Sequence, residues 1–389
     1  MARPSGQSLR FTRLVLTSWR NFREVDVTLG RRALIVGPNA SGKSNFLDAI
    51  RFLGELARPG AGGLQAAVAS RSGFSALRCL HGRRKPYVEI DAHIGTDDTP
   101  STWRYKLQIN VVKNEKRPTI VEEGIWHDGA VIKERQRSDT DDPFIYAQSL
   151  MEQAQTSVEF RELSEFLGSC RYLHVVPQIV RDRTRHRNDG EDPYGGDLLR
   201  RMKAMPLKTR VPRLKRISEA LRLAVPQFED ITLEDDADGV PHLKAAYRNW
   251  RPYTYKQSEE MFSDGTLRLI GLLWSISERG GPLLLEEPEL SLNDSVVGEL
   301  PRMFARMQRL SGRQVIATTH SPALLDDPDI GLREVHWIAV DSNGSHIHTL
   351  AGNPAVAAQV EAGMTISEAV LPLLRPQGIE RLGELDVVG

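Results

Sequence analysis

The apolar run Ala33-Leu34-Ile35-Val36 breaks into Gly37-Pro38-Asn39-Ala40-Ser41-Gly42-Lys43-Ser44, and the amphipathic stretch Asn45-Phe46-Leu47-Asp48-Ala49-Ile50-Arg51-Phe52-Leu53 follows at once. This pattern predicts a strand, a phosphate-cradling loop and a helix. Gly37 and Gly42 open backbone conformations closed to other residues, so successive N–H groups can face phosphate oxygens. The start of the helix adds its partial positive charge. Lys43 is placed to reach β- and γ-phosphates, and the Ser44 hydroxyl to ligate Mg²⁺. A chance glycine-rich turn is the plainer alternative, but it would not need a strand before it and a helix after it.

Composition narrows the setting. Hydrophobic residues make up 40% and charged residues 26% of 389 positions, as in ordinary globular proteins. No apolar run approaches the roughly 20 residues of a membrane span. The start, Met1 to Arg10, is polar and lacks the apolar core of a signal peptide. Cys79 and Cys170 are too few for a disulfide framework and sit in no metal-ligand spacing, as suits buried thiols in a reducing cytoplasm. Formal net charge is zero, so any nucleic-acid surface must be local.

Leu9–Leu16 and Val25–Leu29 alternate apolar and polar side chains and predict two strands ahead of Ala33–Val36. Arg58-Pro59-Gly60-Ala61-Gly62-Gly63 predicts a break after the first helix. Tyr87–Ile94, Trp103–Val112 and Ile120–Trp126 read as antiparallel strands. The period turns helical from about Ser149, interrupted by a short strand at Arg171–Val176 ending in Pro177-Gln178. Leu198–Arg222 then holds nine Lys or Arg against one acid, Glu219, and the acidic run Glu229, Asp230, Glu234, Asp235, Asp236, Asp238 follows. Such a basic run is either a phosphate- or partner-binding surface or simply a solvated helical face. Beyond Trp250 the reading is a helix from Phe262 to Ser277, a buried strand at Leu283–Leu285, a helix over Asn293–Leu310, and strands at Gln314–Ala317 and Val335–Val340. Helix, turn, helix and tail follow from Asn353.

Four later segments bear on chemistry. Pro282-Leu283-Leu284-Leu285-Glu286-Glu287-Pro288-Glu289 brings carboxylates to the end of a buried strand. One acid would hold Mg²⁺ with Ser44, and the next would polarise an attacking water; a solvated acidic turn is the plain alternative. Gln314–Pro322 ends a strand in Thr318-Thr319-His320, where an imidazole can sense a γ-phosphate or simply be structural. Phe262-Ser263-Asp264-Gly265-Thr266 opens a helix, either as an anion site or as an ordinary N-cap. Pro177-Gln178 alone says little.

In order and spacing these words resemble the ABC-type ATPases of the RecF, SMC and OLD-like group, the "AAA family" ATPases of bacterial genomes. The resemblance is carried by Asn21-Phe22-Arg23, Gly37–Asn45, Phe262–Thr266, Leu285–Glu289 and Thr318–Pro322, and spans about Leu9 to Leu350. It implies an α/β fold: a P-loop NTPase with an ABC-type head, an antiparallel β subdomain and a helical insertion. Residues 1–148 would be the N-terminal part of the head and 149–245 a mostly helical basic insertion or lid. Residues 246–352 would be the C-terminal part of the head, and 353–389 a helical tail. By resemblance Gly37, Pro38, Asn39, Ala40, Ser41, Gly42, Lys43, Ser44 and Asn45 bind ATP as Walker A. Ser263 and Gly265 belong to the signature that completes a second chain's site. Glu286 with Ser44 holds Mg²⁺, Glu287 is the general base, His320 the switch histidine, and Gln178 the Q-loop glutamine serving nucleotide and metal.

Two departures stand out. Glu286 occupies the Walker B position where the family usually has Asp, and Asp264 replaces a signature glycine. The C-terminal segment, lacking clustered acids, is expected to carry no Toprim nuclease domain. The function expected is a Mg²⁺-dependent, dimerising ATPase switch in DNA maintenance or anti-phage defence. It would be cytoplasmic, a homodimer or higher homo-oligomer, with possible nucleic-acid contact through 198–222 and a separately encoded nuclease or toxin effector. The alternative is an ATP-stabilised scaffold that holds a partner with little hydrolysis. A transporter subunit fits less well with the antiparallel strands and the basic run.

Overall fold

Aliphatic runs set the strands. β1 (Arg10–Trp19), β2 (Phe22–Thr28) and β3 (Arg32–Val36) lead into α1 (Lys43–Ala57), α2 (Gly63–Ala69) and α3 (Phe74–Leu77). A meander follows: β4 (Val88–Gly95), β5 (Trp103–Val111), β6 (Pro118–His127) and β7 (Ala130–Gln136). Next come α4 (Arg161–Gly168), β8 (Arg171–Leu173), α5 (Pro177–Val180), α6 (Leu198–Ala204), α7 (Leu207–Ala224), β9 (Phe228–Asp235), β10 (Pro241–Tyr247) and β11 (Tyr255–Ser258). The last part holds α8 (Asp264–Ser277), β12 (Leu283–Glu286), α9 (Asp294–Val297), α10 (Leu300–Ser311), β13 (Val315–Thr318), α11 (Pro322–Leu325), β14 (Val335–Asp341), β15 (Gly344–Thr349), α12 (Pro354–Glu361) and α13 (Ile366–Leu374). This computed structural model describes residues 8–80, 85–111, 117–138, 142, 144–153, 157–182, 184, 191–248, 255–376 and 378–384. The polar start 1–7, Val112 and Trp250 of the sequence reading lie outside the described residues.

Among the described residues twelve strands form one sheet in the order β7-β6-β5-β4-β1-β2-β15-β14-β3-β13-β12-β8. The flank from β7 to β2 is antiparallel, and β14, β3, β13, β12 and β8 run parallel. The chemistry explains the division. β3 (RALIV) and β13 (VIAT) are buried at every residue, as parallel strands covered on both faces must be. β2 (FREVDVT) alternates buried and exposed, as an antiparallel strand with one wet face does. α1 packs on one face through Phe46, Leu47, Ile50 and Leu53, with Ile35 and Leu284 of the sheet beneath. α8 packs on the other face through Leu267, Ile270 and Trp274, over Leu34, Val36 and Leu285. The fold is α/β, as the sequence pattern indicated.

Four details depart from the sequence reading. β7 and β15 were not anticipated; β7 is mostly exposed and β15 is largely polar, so the period-2 signal is weak. Stretch 149–245 carries β9 and β10 besides its helices, and these join β11 in a separate three-stranded sheet. The acidic run is therefore largely a strand. Asn293–Leu310 is not one helix but two, because Pro301 in the first turn of α10 favours a fresh start over a continuation.

Candidate active site

The loop between β3 and α1 is shaped by space as much as by torsion. Gly42 takes φ 108°, and a Cβ there would fall 2.2 Å from the Asn21 amide. Gly37 differs from the sequence argument, since its constraint is room: a Cβ would meet Ser41 Oγ at 2.5 Å. The left-handed conformation appears instead at Ala40, φ 60°. Asn21 fastens the loop. Its amide donates to the Ser41 carbonyl at 2.6 Å, and its Oδ1 accepts from Asn45 at 2.8 Å. Asn45 is thus turned toward Asn21. Among the described residues no side chain caps α1, and no acid lies in its first turn, as suits a helix start that receives an anion.

Lys43 is buried and donates to the carbonyls of Gly37 (3.0 Å) and Pro38 (3.1 Å). Burial lowers its pKa, against the opposing charges of Glu287, Glu286 and Glu289. Asn39, Ala40 and Ser44 are exposed along the rim.

β12 lies beside β13, and β13 beside β3, in parallel register, so the ends of all three strands meet at this loop. That register brings the Ser44 hydroxyl onto Glu286 Oε1, to which it donates. The Tyr172 hydroxyl on β8 donates to Glu286 Oε2. Burial raises the Glu286 pKa, with the Ser44 hydrogen bond opposing. Glu287 has a left-handed φ of 45°. Its N–H bonds to the Thr318 carbonyl (3.1 Å) and Oγ1 (3.2 Å). Its carboxylate faces His320 Nε2 at 3.4 Å, and the hydrogen bond to His320 holds its pKa below the usual range. Glu289 Oε1 accepts from Thr319 Oγ1 (2.7 Å) and from the His320 N–H (2.8 Å), fixing the turn that carries the imidazole.

Ser44 and Glu286 supply two hard oxygen donors in contact, which suits Mg²⁺. Among the described residues no group of three or more His, Cys, Asp or Glu forms a metal cage.

The signature segment is separate. Ser263 caps α8, its hydroxyl accepting from Thr266 N–H at 3.2 Å. α8 lies across the sheet from α1. A Cβ on Gly265 would sit 2.4 Å from the Ser291 carbonyl, so glycine permits the start of α8 to touch the turn after β12. Gln178 is exposed and donates to Asp264 at 3.4 Å, while Arg181 donates to the same carboxylate at 2.7 Å. Among the described residues no bond joins Gln178 to Ser44 or Glu286. Sequence reasoning missed Tyr172, Glu289 and the clamp role of Asn21. Asn21 stood inside a motif word already noticed, whereas nothing local marks Tyr172.

The basic run is partly internal. Arg213 is buried with its guanidinium 4.9 Å from the Trp274 ring, and Arg201 pairs with Asp197 (3.1 Å) and Glu278 (2.9 Å). Lys203 pairs with Asp235 at 3.0 Å. Lys208, Lys215 and Arg216 are exposed.

Residues 32–326 match the family described as "AAA domain, putative AbiEii toxin, Type IV TA system". The chain belongs to this family. Its α/β architecture is the P-loop fold of the SMC heads that it resembles. The chain is 34% identical over 102 residues to the DNA replication and repair protein RecF of Rhizobium etli (strain CIAT 652), covering 25% of this chain and 26% of that protein. Against RecF of Rhizobium johnstonii identity is 36% over 104 residues, with the same coverage. The AAA-domain chain thus spans about a quarter of the length of these relatives. Among solved structures it resembles an SMC head bound to the C-winged helix domain of ScpA, at TM-score 0.54 and 16% identity, covering 87% of this chain and 96% of that one. The SMC head of Pyrococcus yayanosii with its coiled coil and joint gives TM-score 0.53 at 13% identity, covering 94% and 99%. These likenesses concern the fold. Among the described residues no helix is long and apolar enough to cross a membrane.

Proposed function

We propose that the chain binds and hydrolyses ATP with Mg²⁺ as a dimerising switch in DNA maintenance or anti-phage defence, working with a separately encoded nuclease or toxin effector. The observation that carries this is the contact of Ser44 with Glu286, made next to Lys43, Glu287 and His320. Loop N–H groups and the α1 N-terminus take the β- and γ-phosphates, and Lys43 leaves its carbonyl partners to neutralise them. Ser44 and Glu286 would hold Mg²⁺, which would supply charge neutralisation. Glu287 accepts a proton from the attacking water, and His320 orients Glu287 and reads the γ-phosphate. Ser263 and Gly265 serve the site of a second chain, because α8 lies across the sheet from α1. Gln178 joins this set through Asp264, linking α5 to the start of α8.

A second reading, an ATP-held scaffold with little turnover, draws on Glu286 in place of Asp. Calorimetry and steady-state hydrolysis separate the two. Lys43→Ala is expected to abolish ATP binding; equal affinity in wild type and variant would remove the nucleotide assignment. ATP binding without Mg²⁺-dependent hydrolysis would move the function to the scaffold.

A further inference from the structure

Glu286 is one methylene longer than the residue usual at its position, and the extra torsion must be held if the carboxylate is to meet Ser44 reproducibly. The structure supplies a second clamp. Tyr172 on β8 pairs in parallel register with Leu284, two residues before Glu286 and so on the same face of the sheet. Its hydroxyl donates to Glu286 Oε2 while Ser44 donates to Oε1, so each carboxylate oxygen has its own donor. Tyr172 is itself braced: its half-buried ring packs against the core under α1, and the Arg51 guanidinium sits 5.3 Å from its centroid. Arg51 and Ser44 are seven residues apart on α1, two turns along one side. One helix therefore contacts Glu286 directly and braces the tyrosine that contacts it from the other strand.

We infer that Tyr172 is a positioning residue for the metal-binding carboxylate: it ties down Glu286 Oε2, leaves Oε1 for the cation beside Ser44, and makes glutamate workable at this place. The inference rests on the nucleotide-site reading above. An aspartate at 286 would stop one methylene short of the tyrosine, so this hydroxyl has a partner only while the residue is glutamate.

The test uses Tyr172→Phe, which keeps the ring under Arg51 and removes one oxygen. Mn²⁺ is titrated by electron paramagnetic resonance into the full chain with bound ADP, and ADP binding is measured separately in chelator. Removing an outer hydrogen bond of this kind costs about 10- to 100-fold in metal affinity. Tyr172→Phe is expected to weaken Mn²⁺ at least tenfold while metal-free ADP affinity stays at the wild-type value. In a Glu286→Asp background the same change is expected to have no further effect on Mn²⁺. Wild-type Mn²⁺ affinity in Tyr172→Phe would overturn the inference, as would equal losses with glutamate and aspartate. A parallel loss of metal-free ADP affinity would also overturn it, marking Tyr172 as a merely structural support. All three outcomes leave the nucleotide site standing, whereas a wild-type chain that takes up no ADP removes both.

Discussion

The Glu287 carboxylate lies 3.4 Å from His320 Nε2, on a residue whose backbone holds φ at 45°. A left-handed non-glycine residue costs on the order of 1–3 kcal/mol and persists where its surroundings over-determine it. Here Thr318 accepts the Glu287 N–H twice, and Glu289 anchors the turn beneath His320. Strain, carboxylate and imidazole converge at the end of β12. Glu287→Gln preserves shape and cannot take a proton. It is expected to retain ATP and to lose on the order of 10²- to 10⁴-fold in turnover. Single-turnover hydrolysis beside nucleotide binding checks this, and unchanged turnover would reassign the base.

His336 tests the core rather than the site. It lies fully buried on β14, bonded through Nδ1 to Thr349 Oγ1 at 2.9 Å, and burial lowers its pKa to about 4. The unfolded chain titrates this residue near 6.5. Between those values the unfolded state binds the extra proton, so stability falls as pH drops from about 6.5 to 4. The full loss from this residue is about 3 kcal/mol. Denaturant unfolding across that window is expected to show His336→Gln with a shallower pH dependence than wild type. Parallel curves would show that the imidazole titrates freely in the fold.

Much of this architecture was readable in the chain because its signals are local. Val36–Ser44 announces a strand, loop and helix, and Leu283–Glu287 a strand ending in acids. β15 was missed because Gly344–Thr349 has little apolar alternation and is placed by pairing with β14. Tyr172 was missed for the same reason: its meaning comes from β8 lying beside β12, a relation between residues more than 100 apart in sequence. Arg213 misled in the opposite direction. Within a run of cations it read as part of a binding surface or a solvated face, yet its long side chain packs over Trp274, as amphipathic side chains can.

The exposed cations therefore define the test of nucleic-acid binding. Lys208, Lys215 and Arg216 replaced together by Ala are expected to weaken duplex DNA binding uniformly across sequences. The logarithmic salt slope should flatten by roughly 0.9 for each phosphate that is no longer neutralised. Arg213→Ala should instead lower thermal stability, by removing its packing on Trp274. Unchanged affinity and slope in the triple variant would turn this face toward a protein partner.

The signature segment carries the last prediction. Ser263 and Gly265 start α8 on the face of the sheet opposite α1, and the Ser263 hydroxyl is already engaged with Thr266. Under the proposed mechanism, a second copy related by a two-fold axis would bring a helix N-terminus to the γ-phosphate at Lys43. Ser263 is exposed, so an arginine there is tolerated by the monomer but intrudes with bulk and charge where the two chains would close. Ser263→Arg is expected to fold and to bind ATP at its own loop, with hydrolysis and ATP-induced dimerisation lost. Lys43→Ala fails differently, because its loop is empty while its signature is intact. In a mixed dimer, the Ser263→Arg chain contributes a working loop and the Lys43→Ala chain a working signature, giving one complete site. Mixing two inactive variants should thus restore part of the wild-type hydrolysis rate, rising toward equal proportions of the two. Full activity of Ser263→Arg alone, or no recovery in a mixture shown to contain heterodimers, would place hydrolysis within a single chain.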